Sequence, residues 1–205
     1  DRRNGNLLWK QVMHEEVPLE GGHESASLAS HSPVTDGKHI YASFGSAGLY
    51  CLDFNGKLIW KKNLGQMHSK HGHGEGSSPV LFDDKLFVNW DHEEQSFLVA
   101  LDSRSGKELW RVQRSEVTSW ATPLIVEHPN QPQLVVCGSN RVRGYELATG
   151  KVLWECGGLS NNIVATPVYA DGILIAGSSY EKRAMLAIKI DGARGDISNS
   201  DQVLW

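Results

Sequence analysis

Tryptophan recurs in this chain at intervals of roughly 50 residues, and that repeat limits the folds the chain can adopt. The pattern Gly-x-x-(Leu/Ile)-Trp ends at Trp9, Trp60, Trp110 and Trp154. A fifth copy ends at Trp205 and has Asp201 in place of the glycine. Since internal repeats of 40 to 50 residues are typical of propellers and solenoids, the spacing predicts a repeat architecture.

A second marker runs in step with the tryptophans. It consists of a hydroxyl residue before proline, at Ser32-Pro33, Ser78-Pro79, Thr122-Pro123 and Thr166-Pro167. Each copy opens a short apolar run, where a proline is tolerated because the first residue of a strand need not donate a ladder hydrogen bond. Two independent signals with one period predict four repeat units.

Each unit is predicted to contain four short strands. In residues 32–64, apolar or alternating runs are separated by turn sequences such as Asp36-Gly37 and Asn55-Gly56. No helical periodicity interrupts them. Four short antiparallel strands per repeat are typical of a propeller blade. The sequence therefore predicts an all-β fold, a β-propeller with four consecutive four-stranded blades.

The blades are predicted within a single partial propeller domain, residues 1–205. Their approximate limits are 32–64, 78–113, 122–156 and 166–205. Residues 5–13 are interpreted as the outer strand of a preceding blade, which favours part of a seven- or eight-bladed ring over a closed four-bladed ring. Exposed apolar blade faces would then favour self-association.

The repeated tryptophans are expected to hold neighbouring blades together. A large ring on an outer strand can lie across the joint with the next blade, while its indole N–H donates to a carbonyl there. The glycine four residues earlier is expected to supply a positive φ in a turn. The predicted docking residues are Trp9, Trp60, Trp110, Trp154 and Trp205.

Composition excludes several classes of partner. The formal net charge of −4 gives no basic surface for nucleic acid, and no apolar run is long enough to span a membrane. The cysteines Cys51, Cys137 and Cys156 are far apart and odd in number, which argues against a disulfide framework. We expect them to be buried and unreactive.

Histidines concentrate in loops that a propeller places on one face. These loops connect one blade to the next or join the second strand of a blade to the third. The candidate binding face comprises His31, His68, His71, His73, Asp91 and His92. Imidazoles with a nearby carboxylate are ligand types for zinc, copper or nickel. Solvated or hydrogen-bonding histidines are the competing interpretation, so metal binding stays open.

Three further features have two interpretations each. Trp90 and Trp120 fall outside the docking position, and each is either a pocket wall or part of the packing. The segment Asp191–Asp201 is acidic and could bind calcium, but it lacks EF-hand spacing and is also explained by a long turn.

Two segments carry a resemblance to a known family. Residues 101–110, LDSRSGKELW, and residues 145–154, YELATGKVLW, resemble the A-x-D-x-x-T-G-x-x-x-W docking motif of the PQQ-like, quinoprotein-type propeller repeat family. The run from His71 to Gly74 resembles BamB-like secreted bacterial members. The resemblance covers essentially the whole chain.

The resemblance implies an extracytoplasmic, non-catalytic scaffold that binds a protein or peptide, with no cofactor and no catalytic residues. One alternative is a propeller that binds a metal or small ligand through the histidine-rich face. Another is a fragment of a PQQ-dependent dehydrogenase, a family whose members hold the quinone with calcium, a catalytic Asp and adjacent cysteines. This chain has no adjacent cysteine pair.

Overall fold

The structure, a computed structural model, describes residues 1–128 and 131–205 as an almost entirely β protein. Short 3-10 helices at Gly45–Ala47 and Lys70–Gly72 are the helical elements of those residues. The strands form four sheets that follow one another along the chain. The prediction of an all-β fold is confirmed.

The first two sheets are four-stranded antiparallel meanders in chain order. The first comprises β1 (Val34–Thr35), β2 (His39–Ser43), β3 (Leu49–Asp53) and β4 (Leu58–Lys62). The second comprises β5 (Val80–Phe82), β6 (Lys85–Trp90), β7 (Phe97–Asp102) and β8 (Glu108–Gln113). Because loops connect only neighbouring strands, each sheet is a local product of its own repeat.

The third and fourth sheets begin in the same way. The third comprises β9 (Leu124–Val126), β10 (Gln133–Gly138), β11 (Arg141–Glu146) and β12 (Val152–Gly157). The fourth comprises β13 (Val168–Ala170), β14 (Ile173–Ser178) and β15 (Ala184–Lys189). A short strand β16 (Gly195–Asp196) pairs in parallel with β12. Val203 forms an isolated antiparallel bridge to Ile188, in the place where a fourth strand would lie.

The innermost strands of neighbouring sheets are linked through the hydroxyl residues before the prolines. The amide of Ser32 donates to Oγ of Ser78 at 2.9 Å, and the amide of Ser78 donates to Oγ1 of Thr122 at 3.1 Å. Each hydroxyl therefore accepts from the preceding repeat. This bonding explains why a hydroxyl residue recurs at that position.

Three tryptophans link the outer parts of neighbouring sheets. Trp9 donates to the carbonyl of Phe54 at 2.7 Å, Trp60 to that of Ser103 at 2.9 Å, and Trp110 to that of Leu147 at 3.1 Å. Each ring also covers a glycine of the next repeat. A Cβ at Gly56, Gly106 or Gly150 would lie 2.7–2.9 Å from ring atoms. These glycines are needed for close approach as well as for their positive φ.

Trp154 is arranged differently from the other tryptophans. It is fully buried, and its indole N–H donates to Oε1 of Gln133 in its own sheet at 2.7 Å. The residue opposite it on β11 is Gly144, where a Cβ would lie 2.3 Å from Nε1. The glycine position of the following repeat is occupied by Asp201. Trp154 thus shares a buried cluster with Leu174 and Ile188 of the fourth sheet, but its indole bond stays within its own sheet.

The acidic segment Asp191–Asp201 packs beside Trp154, at the joint between the third and fourth sheets. Ala193 and Ile197 are buried in the same cluster as Trp154, and the amide of Ile197 donates to the carbonyl of Glu155 at 2.9 Å. The carboxylate of Asp196 accepts from Ser198 and Arg141. The segment is thus a long turn that fastens the fourth sheet to the third.

Large apolar side chains are exposed at both ends of the row of sheets. They include Leu7, Leu8 and Val17 near the start and Val168, Met185 and Trp205 in the last repeat. Trp205 is 61% exposed. Self-association through these surfaces stays a prediction. No helix of the described residues is long and apolar enough to cross a membrane.

Candidate functional site

A cleft of about 740 Å³ opens beside the innermost strands, on the face that carries the histidine-rich loops. Its volume is within the range of small-molecule sites, roughly 300–1,000 Å³. Residues from all four repeats and from the segment before β1 contribute to it. Its lining comprises His23, Ser25, Ala26, Ser30, Ser32, His73, Glu75, Gly76, Ser78, Trp120, Thr122, Asn162, Val164, Thr166, Ser179 and Tyr180.

One side of the cleft is aromatic. The rings of His23 and His73 meet edge to face, with centroids 4.8 Å apart, and the ring of Trp120 lies 6.4 Å from that of His73. Trp120 is held in place because its indole N–H donates to the carbonyl of Gly74 at 2.8 Å. The backbone amide of His23 donates to the carbonyl of His73, which ties the segment before β1 to this loop.

The rim of the cleft also carries a lysine, an amide and a phenol. Lys70 donates to Oδ1 of Asn162 at 3.0 Å, and its Nζ lies 6.0 Å from the ring centre of Tyr180. The Tyr180 side chain is 47% exposed. These contacts join a loop of the second repeat to loops of the third and fourth, so the rim is assembled from distant parts of the chain.

Two glutamates lie below the aromatic side. Glu75 accepts from the amide and hydroxyl of Ser46, and burial together with nearby Glu20 raises the pKa of Glu75. Burial also acts to raise the pKa of Glu20, but hydrogen bonds from Ser69 and His68 hold it below the usual value. Glu75 therefore takes up a proton at a higher pH than Glu20 does.

The predicted face residues His71, His73 and His31 lie at or beside the cleft. His71 is exposed and adopts a left-handed backbone conformation with φ of 59°, and its ring lies 5.4 Å from that of His73. His31 sits between two residues of the cleft lining, and its Nδ1 is buried with no hydrogen-bond partner in the described structure. Burial lowers the pKa of His31 to about 4, so this side chain is neutral at pH 7.

His68 and His92 are engaged in local structure. Nδ1 of His68 donates to Glu20 at 2.8 Å. His92 is buried, its Nε2 donates to the carbonyl of Gln95 at 3.2 Å, and its Nδ1 accepts from the amide of His68 at 3.3 Å. With both ring nitrogens bonded, His92 positions loops and is closed to a ligand.

Asp91 is also removed from the cleft. Its carboxylate forms a bidentate ion pair with Arg114 at 2.8 and 3.0 Å, and both side chains are almost fully buried. Ser119 and Asn89 donate to the same carboxylate, and Arg114 also donates to the hydroxyl of Tyr145 on the next sheet. Burial alone would lower the pKa of Arg114, but Asp91 holds it well above the usual value. Asp91 therefore has a structural position between two sheets.

In residues 1–128 and 131–205, no group of three or more His, Cys, Asp or Glu side chains is arranged to hold a metal ion. The three cysteines are free and buried, and burial raises the pKa of each thiol. Trp90 stacks on Phe97 inside the second sheet, so it belongs to the packing.

Sequence reasoning missed Asn162 and Tyr180 as members of the site. Neither belongs to a repeated motif, and each reaches the cleft only because the sheets are arranged around it. Trp120 did carry a usable signal, since it is a tryptophan outside the docking position. His23 lies in one of the loops that were assigned to the same face as the predicted residues.

The linked inner strands and docked tryptophans define the chain as a protein of the tryptophan-docked propeller class. A family model for the outer membrane protein assembly factor BamB matches residues 1–205. The chain therefore belongs to the BamB-like family of PQQ-type propeller repeats. A search against curated protein sequences finds no match.

Solved structures with the same fold include a BamB protein and dehydrogenases. BamB from Moraxella catarrhalis is 17% identical with a TM-score of 0.60, and the match covers 84% of this chain and 50% of that one. Quinohemoprotein alcohol dehydrogenase from Comamonas testosteroni is 13% identical with a TM-score of 0.64, covering 85% and 34%. The enzyme ADHIIG from Pseudomonas putida HK5 is 15% identical with a TM-score of 0.58, covering 80% and 33%. This chain spans half or less of those proteins.

Proposed function

We propose that this chain is a non-catalytic propeller scaffold that binds its partner or ligand in the cleft on the histidine-rich face. The observation that supports this most directly is the cleft itself, which collects side chains from all four repeats at the end of the innermost strands. Sites assembled in this way are typical of propeller faces, where loops from several blades converge.

A BamB-like role would place the chain outside the cytoplasm with a protein or peptide partner. That proposal follows from the family, whose description refers to assembly of outer membrane proteins. The net charge of −4 does not favour nucleic acid as the partner.

The experiment for the proposed site uses peptide and glycan arrays with the wild-type chain and matched variants. Tyr180→Ala and Asn162→Ala remove cleft side chains from loops, while Phe54→Ala removes an exposed ring from the turn between β3 and β4. We expect binding to at least one array to be lost in the cleft variants and kept in Phe54→Ala. A ligand that binds both cleft variants as tightly as it binds the wild type would show that the binding site lies elsewhere.

Metal binding is a second candidate because three histidine rings approach one another. The centroids of His23 and His71 lie 4.8 and 5.4 Å from that of His73, and imidazole nitrogens are ligands of zinc and copper. Calorimetric titration with Zn²⁺ and Cu²⁺ tests this alternative. It requires micromolar binding that is lost in His71→Ala and His73→Ala, and the absence of such binding rejects it.

A PQQ-dependent dehydrogenase is the third candidate, and the residues of this chain fit it poorly. The adjacent cysteines that the family resemblance implies are missing from the sequence, and Asp91 is paired with Arg114 rather than open to the cleft. The test is dye reduction with alcohols or sugars after PQQ and Ca²⁺ are added. We expect no PQQ-dependent reduction, and a positive result would restore this candidate.

A further inference from the structure

The cleft combines flat aromatic surfaces with an unusually hydroxyl-rich wall. Trp120 and Tyr180 contribute the two large rings, and both are partly exposed. Aromatic faces carry partial negative charge and attract the slightly positive C–H groups of a sugar ring packed on them. Because Trp120 is fixed by its bond to Gly74, it offers such a surface without losing much side-chain freedom on binding.

The hydroxyl groups of the cleft are prepared to donate hydrogen bonds. Oγ of Ser78 and Oγ1 of Thr122 already accept from backbone amides of the inner strands. Their protons can therefore be directed toward a ligand, since a hydroxyl that accepts one bond still has its donor. Ser32 and Thr166 continue the same row along the cleft. Polyhydroxylated ligands need this dense arrangement of donors and acceptors.

The charge of the cleft favours a neutral ligand. Among the residues that the structure describes, its lining contains a single carboxylate, that of Glu75, and no lysine or arginine. Hydrogen bonds from Ser46 already occupy both carboxylate oxygens of Glu75. Lys70 lies at the rim and is bonded to Asn162. An acidic or basic polymer would find little complementary charge here.

We infer that the cleft binds a neutral oligosaccharide, with one sugar ring packed on Trp120 and another on Tyr180. This inference rests on the proposed binding function of the cleft. A peptide is a poorer match, because in the described part of the chain Ala26 and Val164 are the only aliphatic side chains of the lining, which leaves little apolar surface for peptide side chains.

Isothermal titration calorimetry with neutral tetrasaccharides tests the inference. The probes are cellotetraose, maltotetraose and tetra-N-acetylchitotetraose, and tetragalacturonate serves as a matched acidic control. We expect one or more neutral sugars to bind and the acidic sugar to bind at least about tenfold more weakly. Tyr180→Ala should weaken the neutral sugar about fivefold or more, as expected for loss of one stacked ring.

Matched variants separate the cleft from general effects on folding. Asn162→Ala should weaken the sugar, Phe54→Ala should leave its affinity unchanged, and circular dichroism should confirm that each variant is folded. Trp120→Phe retains an aromatic face but loses the bond to Gly74, so it should bind more weakly than wild type and more tightly than Trp120→Ala.

The outcomes distinguish this inference from the proposed function. Peptide binding that depends on Tyr180 and Asn162, without sugar binding, would overturn the oligosaccharide inference and leave the cleft as the binding site. Sugar binding that is insensitive to both variants would also overturn it. Ligands of any class that bind independently of the cleft would overturn the proposed function as well.

Discussion

The joint between the second and third sheets differs from the joint between the third and fourth. At the first of these, the ring of Trp110 crosses to the next repeat and covers Gly150. At the second, Trp154 turns back onto Gly144 of its own sheet. The long turn that contains β16 and Ile197 packs in the same buried cluster as Trp154.

A docking tryptophan therefore needs a matching glycine in the following repeat. Gly56, Gly106 and Gly150 each have a positive φ and lie directly beneath a tryptophan ring. Asp201 takes that position in the last repeat, where its Cβ is incompatible with such close approach. The tryptophan motif alone therefore does not decide how a blade is joined to its neighbour.

The ion pairs at the two joints also differ in how deeply they are buried. Arg114 of the second repeat is buried with Asp91 and reaches Tyr145 of the third. At the other joint, Arg141 pairs with Glu155 and Asp196, and these side chains are about one third to one half exposed. Solvent screens such exposed pairs, whereas breaking the buried pair leaves a charge without a partner.

The largest predicted effect is at the buried pair. Arg114→Ala should lower the free energy of unfolding by about 3–5 kcal/mol because Asp91 would stay buried without its counter-ion. Arg141→Ala, the matched change at the other joint, should cost about 0–1 kcal/mol. Urea denaturation measures both. Equal losses would show that the two joints do not differ in electrostatics.

The second largest loss of stability is expected when a buried side chain of the long turn is shortened. Ile197→Ala should cost about 2–5 kcal/mol, because it deletes a buried side chain from the cluster around Trp154. Val152→Ala on β12 removes a partly exposed side chain and should cost less than about 1.5 kcal/mol. Hydrogen exchange should also report faster opening of residues 191–201 in Ile197→Ala. Protection equal to wild type would mean that the turn does not hold the joint.

The glycine beneath Trp110 should be similarly sensitive. Gly150→Ala should cost about 2–4 kcal/mol, since its Cβ would lie 2.7 Å from the ring and its φ is positive. Gly172→Ala has a positive φ but open space around it, so it should cost only about 1–2 kcal/mol. If Gly150→Ala lowers the free energy of unfolding no more than Gly172→Ala does, close packing against Trp110 is not the reason that position 150 needs glycine.

The smallest effect concerns the buried indole of Trp154. Trp154→Phe leaves Oε1 of Gln133 buried without its donor, and the expected cost is about 1–3 kcal/mol. Gln133→Leu combined with Trp154→Phe should recover part of that loss, because neither polar partner then remains. A double-mutant cycle of thermal unfolding measures the coupling. Zero coupling would mean that the bond does not stabilise the folded-back ring.

The candidate site was only partly predictable from the sequence. Loop sorting placed His71 and His73 on the relevant face, and both lie at the cleft or beside it. It also included Asp91, whose burial depends on Arg114, a partner 23 residues away that directly follows β8. Tyr180 carried no motif at all. Sequence pattern identifies a loop, whereas pairing and exposure depend on which neighbours the fold supplies.

By itself the sequence determined the all-β architecture, the repeat and the strand order. Those features depend on local alternation, turn residues and the spacing of Trp60, Trp110 and their equivalents. Only the tertiary structure decided which tryptophan docks, which charges are buried and which side chains surround the cleft. Strand order follows from short-range contacts within one repeat, but the direction of Trp154 depends on Gly144 and on a turn some 40 residues later.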